Sequence, residues 1–137
     1  MKKISTLIAP MFLVLALCAQ AESAPKEVKT ASGIVIATLK EGKGDNPKAT
    51  DMVKVHYRGI LADGKEFDSS YKRGDPTSFP LNRVIPCWTE GVQTMKPGGK
   101  IKLTCPSNMA YGPSGIPGTI PPNATLIFEV ELLEVMK

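Results

Sequence analysis

Few residues in this 137-residue chain have the types and spacing that reactive chemistry needs. His56 is the single histidine, which excludes any site requiring two. Ser/His/Asp catalysis would have to use it, yet it lies in an alternating stretch and reads as a structural side chain satisfied by hydrogen bonds. Zinc-ligand spacing and HExxH are absent. Pro97-Gly98-Gly99-Lys100 lacks the first Gly and the following Ser/Thr of a phosphate-cradling loop. The cysteines, Cys18, Cys87 and Cys105, form no CxxC pair, so thiol–disulfide catalysis is not expected. What remains is an apolar or aromatic site with few polar groups. Such a site suits ligand binding, or a reaction that needs no acid, base or nucleophile.

The elements that must hold this site are mostly strands. Ser32 to Lys40 reads as a strand, and 41–50 as a turn region. Met52 to Ile60 alternates, with Val53, Val55 and Tyr57 on one face and Lys54, His56 and Arg58 on the other, the pattern of a half-buried strand. Asp63-Gly64 marks a turn, and Phe67 and Asp68 follow on a short strand. Residues 69–80, with Gly74, Pro76 and Pro80, read as a loop. Trp88 to Met95 is the one expected helix, ended by Pro97-Gly98-Gly99. Ile101, Leu103 and Cys105 alternate again, as do Leu126, Phe128, Val130 and Leu132 against Glu129 and Glu131. A strand-dominated chain with one short helix predicts an α+β fold with an antiparallel sheet. Residues 106–124 form a long loop with five prolines and three glycines. Tyr111, Ile116 and Ile120 are interleaved with those prolines, so the loop reads as a shaped flap beside a site rather than a linker.

The first residues belong to a different kind of segment. Lys2 and Lys3 precede an uncharged, mostly apolar run from Leu7 to Cys18, and Ala19-Gln20-Ala21 offers a small-x-small cleavage site. This is the layout of a secretory signal peptide, and the apolar run is short for a membrane span. The expected organisation is a signal peptide over 1–21, a flexible segment over 22–30 and one domain over 31–137. The expected destination is periplasmic or secreted. Cleavage removes two of the basic residues behind the formal charge of +4. The remaining lysines are scattered among acids, so no nucleic-acid footprint is left, and no other segment is expected to enter a membrane. Cys18 leaves as well. Cys87 and Cys105 then invite a disulfide, with two small buried thiols as the alternative.

Five strings stand in a specific order: Val55-His56-Tyr57-Arg58-Gly59, then 63–70 (DGKEFDSS), Val84-Ile85-Pro86-Cys87-Trp88, Ala110-Tyr111-Gly112, and 120–128 (IPPNATLIF). In that order and spacing the chain closely resembles the FKBP-type peptidyl-prolyl cis-trans isomerases, the macrolide-binding immunophilins. The resemblance covers about residues 30–136. Residues 73–91 are most similar to the exported bacterial branch.

This resemblance implies a curled antiparallel β-sheet wrapped around one short α-helix, with an apolar pocket between them. It implies Trp88 as the pocket floor and Tyr57, Phe67, Phe79 and Phe128 as walls. Val84 and Ile85 would form the rim, with the Ile85 amide donating to a ligand carbonyl. Tyr111 would donate from the flap, and Ile120 would close the flap side. Asp68 would be the main polar side chain, fixed by Arg73 and tyrosine hydroxyls. The implied activity is isomerisation of X-Pro bonds in exported, folding proteins, without cofactor or metal, with Tyr57, Asp68, Tyr111 and Phe128 in the catalytic set. Macrolides are the implied inhibitors, and a monomer is expected. A binding or holdase module that keeps the pocket but catalyses little is the alternative. The chain departs from the family's common residues at Thr77, Ile116 and Thr119, which bears on macrolide affinity and on the residue preferred before proline.

Overall fold

The computed structural model describes residues 26–136. Seven strands form one antiparallel sheet: β1 (Lys26–Lys29), β2 (Val35–Lys40), β3 (Met52–Leu61), β4 (Glu66–Ser69), β5 (Thr77–Pro80), β6 (Lys100–Cys105) and β7 (Leu126–Met136). The spatial order is β1-β2-β6-β7-β3-β4, and β5 pairs with the other half of β3. Two short helices, α1 (Ser70–Arg73) and α2 (Pro86–Val92), complete the fold with single 3-10 turns at Leu81–Arg83 and Ser107–Met109. This is an α+β fold, with the sheet curled over α2. Bulges interrupt the pairing of β3 with β7 at Lys54/Val55, β2 with β6 at Thr38/Lys40, and β3 with β4 at Gly59/Ile60. Each bulge bends its strand and adds twist, which is how a flat ladder becomes a curved one.

The alternating residues set the core. Val53, Val55, Leu103, Leu126, Val130 and Leu132 are fully buried, while Lys54, His56, Glu129 and Glu131 lie on the more exposed face. Helix α2 covers the inner face through Cys87, Trp88, Gly91 and Val92. Gly91 lets it sit close: a Cβ there would lie 2.5 Å from a methyl of Leu103 on β6.

The helix starts and stops earlier than the expected Trp88–Met95. Pro86 stands at its first turn, where a missing N–H costs nothing and the fixed φ suits a helix. Past Val92 the chain tightens: Thr94 donates to the Gly91 carbonyl and Met95 to that of Val92, i+3 bonds that end the α-helix. Residues 69–80 are likewise not a plain loop. Ser69 caps α1 by accepting from the Lys72 amide at 3.2 Å, Gly74 closes it at φ +81°, and β5 then pairs with residues 52–55. Pro80 is tolerated at the end of β5 because β5 is an edge strand, and Pro76 lies just before it. Residues 26–29, expected to be loose, pair with 35–38 as an edge strand whose side chains are all exposed. The expected signal peptide, Cys18 included, lies outside the described residues. Among the described residues no helix is long and apolar enough to cross a membrane.

Candidate functional site

Strand β3 carries the site and has a gap in its partner. β4 pairs with residues 58–60 and β5 with 52–55, leaving Tyr57 between them. Ser70, fully buried on α1, fills the break. Its Oγ accepts from the Tyr57 amide at 2.7 Å and donates to the Tyr57 carbonyl at 3.2 Å. A side-chain hydroxyl thus replaces a missing strand partner, as buried backbone groups require. His56 Nδ1 lies 2.9 Å from the same Oγ, within hydrogen-bond distance. The imidazole stacks on Tyr71 at 4.6 Å, which leaves His56 in a structural position.

Fixing the Tyr57 backbone aims its side chain into a group of aromatic rings around Trp88. The Trp88 ring centre lies 5.3 Å from Tyr57, 5.4 Å from Phe79 and 5.5 Å from Phe128, each close to perpendicular. Phe67 meets Phe128 edge to face at 5.7 Å. These are the favoured orientations for rings with negative faces and positive edges. Gly59 makes the Phe67–Phe128 contact possible. A Cβ there would fall 2.6 Å from Phe67 and 2.9 Å from Phe128. Trp88 is buried, and its Nε1–H has no acceptor among the described residues.

One polar cluster borders the rings. Tyr57 Oη donates to Asp68 Oδ2 at 2.5 Å, and Arg73 Nη1 donates to Asp68 Oδ1 at 2.6 Å. Arg73 Nη2 also donates to Tyr57 Oη at 3.1 Å, so the three groups form a closed triangle. Burial pushes the Asp68 carboxyl up, but hydrogen bonds from Tyr57 and Arg73 outweigh it and hold the group below its ordinary value. Burial, reinforced by the hydrogen bond to Asp68, raises the Tyr57 hydroxyl. Tyr111 is raised by burial and by the negative charge of Asp68. At neutral pH the cluster therefore holds an ionised Asp68 and two neutral phenols.

Together these groups line a cavity of about 440 Å³. Tyr57, Phe67, Phe79, Trp88 and Phe128 supply the aromatic surface, with Asp68, Val84, Ile85 and Tyr111 around it. Arg73 stands behind Asp68. Ile120 is buried in the core and is not among the lining side chains. Arg83 lines the cavity and was not singled out from the sequence, since an arginine beside a loop carries no signal of its own. The roles of Ser70 and Gly59 are not visible in the sequence either, because they depend on strand register and ring packing.

The floor and the long loop are joined covalently. Cys87, in the first turn of α2 beside Trp88, is disulfide-bonded to Cys105, the last residue of β6, with Cα atoms 5.8 Å apart. The loop that follows is tied to itself. Ile116 and Ile120 exchange backbone bonds at 2.8 Å, Gly115 N–H donates to Tyr111 O, and Asn123 N–H to Gly112 O. Gly115 is required where the Ile120 and Pro121 carbonyls press against it. This places Tyr111 at the cavity edge on a shaped segment.

A family model described as FKBP-type peptidyl-prolyl cis-trans isomerase matches residues 43–133. The chain belongs to that family. The FKBP-type peptidyl-prolyl cis-trans isomerase FkpA of Escherichia coli K12 is 59% identical over 111 residues, which are 80% of this chain and 41% of FkpA. FkpA of Aeromonas hydrophila is 57% identical over 108 residues, covering 79% of this chain and 40% of that protein. The chain thus spans about two fifths of the length of these curated relatives. The crystal structure of Escherichia coli FkpA superposes with a TM-score of 0.79 at 49% identity, over 89% of this chain and 57% of that one. A peptidyl-prolyl cis-trans isomerase from Pseudomonas syringae gives 0.77 at 36% identity, over 94% of this chain and 99% of that one.

Proposed function

We propose that this chain is a peptidyl-prolyl cis-trans isomerase acting on X-Pro bonds of exported proteins as they fold. The observation that carries the reading is the aromatic cavity around Trp88 with one ion-paired carboxylate, Asp68, at its border. Membership of the isomerase family supports the same activity. The signal-like residues 1–21 and the Cys87–Cys105 bond support an oxidising destination outside the cytoplasm.

The chemistry asks little of such a site. Rotation about a peptide bond faces a barrier of about 18–20 kcal/mol because resonance holds the amide planar. Before proline the two isomers are close in energy, yet exchange takes tens to hundreds of seconds. At the transition state the C–N bond loses double-bond character, the carbonyl becomes less polar and the nitrogen pyramidal. A surface complementary to that twisted form lowers the barrier. A 10⁴-fold acceleration needs only about 5.5 kcal/mol.

Each group has a role in this scheme. Trp88 forms the floor under the proline ring, with Phe67, Phe79 and Phe128 as walls. Their apolar surface excludes water, which disfavours the polar planar amide relative to the twisted one. Val84 and Ile85 form the rim, where the Ile85 N–H donates to a substrate carbonyl. The Tyr111 hydroxyl donates from the long loop. Tyr57 is held by Asp68 and Arg73, so its ring is oriented before substrate arrives. Asp68, kept ionised, faces the twisted amide as the polar side of an otherwise apolar site. No covalent step is required.

The test is refolding of a substrate limited by proline isomerisation, at micromolar chain. A rate increase supports the reading, and an unchanged rate removes it. Protection of proline-free substrates from aggregation without a rate increase would favour the holdase alternative.

A further inference from the structure

Two charged side chains line the cavity, Asp68 and Arg83, and they differ in their surroundings. Asp68 is paired with Arg73 at 2.6 Å and hydrogen-bonded by Tyr57. Its charge is balanced within the site. Arg83 takes part in none of the ion pairs among the described residues, which are Arg58–Glu66, Lys72–Glu66 and Arg73–Asp68. It is exposed, at the end of the 3-10 turn Leu81–Arg83. The uncompensated charge of the cavity is therefore positive, and it sits on one side of the mouth.

Its location makes that charge relevant to substrate choice. Arg83 immediately precedes Val84 and Ile85, the rim expected to receive the peptide backbone. The turn that carries it is anchored at its first residue, Leu81, through both of that residue's backbone groups. The Leu81 amide donates to the Asp51 carbonyl at 3.0 Å, and Thr89 Oγ1 on α2 donates to the Leu81 carbonyl at 2.7 Å. From that turn the long Arg83 side chain lines the same cavity as the aromatic floor, so it would lie beside residues flanking a bound proline.

We propose that Arg83 is a specificity-determining residue that favours peptides carrying a carboxylate side chain next to the X-Pro pair and disfavours those carrying lysine or arginine there. This rests on the isomerase reading of the cavity. Its guanidinium offers planar N–H donors that match a carboxylate in two places. Because the group is exposed, the attraction is modest and screened by salt. Attraction of glutamate and repulsion of lysine act in opposite directions, so the ratio between two such peptides is roughly three- to tenfold at low salt.

The experiment uses three short peptides with the same X-Pro pair and Glu, Gln or Lys at the flanking position. Isomer exchange is followed by NMR, and binding by the fluorescence of Trp88, the chain's single tryptophan. The expected result is a higher kcat/KM for the Glu peptide than for the Lys peptide, carried mainly by KM and by the binding constant. The ratio shrinks at 0.5 M salt (about a 4 Å screening length), collapses in Arg83→Gln and inverts in Arg83→Glu. Equal kcat/KM for the Glu and Lys peptides while the Gln peptide is still turned over overturns the proposal and leaves the isomerase reading intact. So does a Glu/Lys ratio unchanged in Arg83→Gln. If no peptide is turned over, the isomerase reading fails, and the Glu/Lys ratio of binding constants still decides whether Arg83 selects.

Discussion

Replacing Cys87 and Cys105 together by alanine, or reducing the bond in the wild-type chain, removes the link between the cavity floor and the base of the long loop. The two residues are 18 positions apart, and both are fully buried. Closing a loop of that length removes conformational freedom from the unfolded chain worth about 3 kcal/mol in the chain-entropy model. For a domain of this size the same figure corresponds to a fall of about 12 °C in Tm. The bond also fixes Trp88 through its neighbour Cys87, and Tyr111 through the loop that begins after Cys105. Folded, reduced protein is therefore expected to bind peptide more weakly, with KM rising more than kcat falls. The assay is urea unfolding of the oxidised and reduced protein side by side, read by tryptophan fluorescence, with thiol alkylation of the native protein as a control. A difference below about 1 kcal/mol refutes the entropy reasoning. Two alkylatable thiols in oxidised protein would refute the bond itself.

Other perturbations separate the parts of the site. Phe128→Ala or Trp88→Ala removes buried aromatic surface and should cost about 3–5 kcal/mol of stability, with catalysis lost at temperatures where the variant remains folded. Ser70→Ala leaves the Tyr57 amide and carbonyl without their partner and should cost about 1–3 kcal/mol in urea unfolding. A cost near zero would show that β3 repairs its own gap. Gly59→Ala pushes Phe67 away from Phe128 and should weaken peptide binding, readable by titration of Trp88 fluorescence. Asp68→Asn should lower kcat with a modest change in stability. The wild-type pH profile should stay flat down to the ordinary carboxylate range. Because the folded-state value of Asp68 lies below the ordinary value of 3.8, its contribution to stability is full above 3.8 and is lost as pH falls through the lower folded value. A loss of activity near pH 5 to 6 that disappears in Asp68→Asn would contradict the direction of this shift.

The sequence made the inner face of the sheet readable because burial on one side imposes alternation. Val53, Val55 and Tyr57, Ile101, Leu103 and Cys105, and Leu126, Phe128, Val130 and Leu132 all lie inside as that pattern predicts. The aromatic cavity came from the resemblance rather than from alternation, since a buried ring that lines a cavity and one that fills a core have the same periodicity. Edge elements were harder. β1 has four exposed side chains, and β5 carries a proline at its end, so neither shows an apolar pattern. α1 has four residues, too few for a helical period, and its signal lies in the Ser69 cap and Gly74. The roles of Ser70 and Gly59 depend on the split between β4 and β5 and on ring packing across β3, which only register reveals. The resemblance gives Ile120 the flap side of the pocket; its side chain is buried in the core cluster that also holds Tyr57, Trp88 and Phe128.

The central claim is that the cavity around Trp88 accelerates rotation about X-Pro bonds, and proline-limited refolding tests it most directly. Refolding of one slow-folding substrate is followed with increasing amounts of wild-type chain and of Phe128→Ala, with the folded state of the variant checked by circular dichroism. The account predicts a slow-phase rate that rises in proportion to wild-type chain at micromolar concentration and barely rises with the variant. An unchanged slow phase with wild-type protein, or equal acceleration by both proteins, would contradict it.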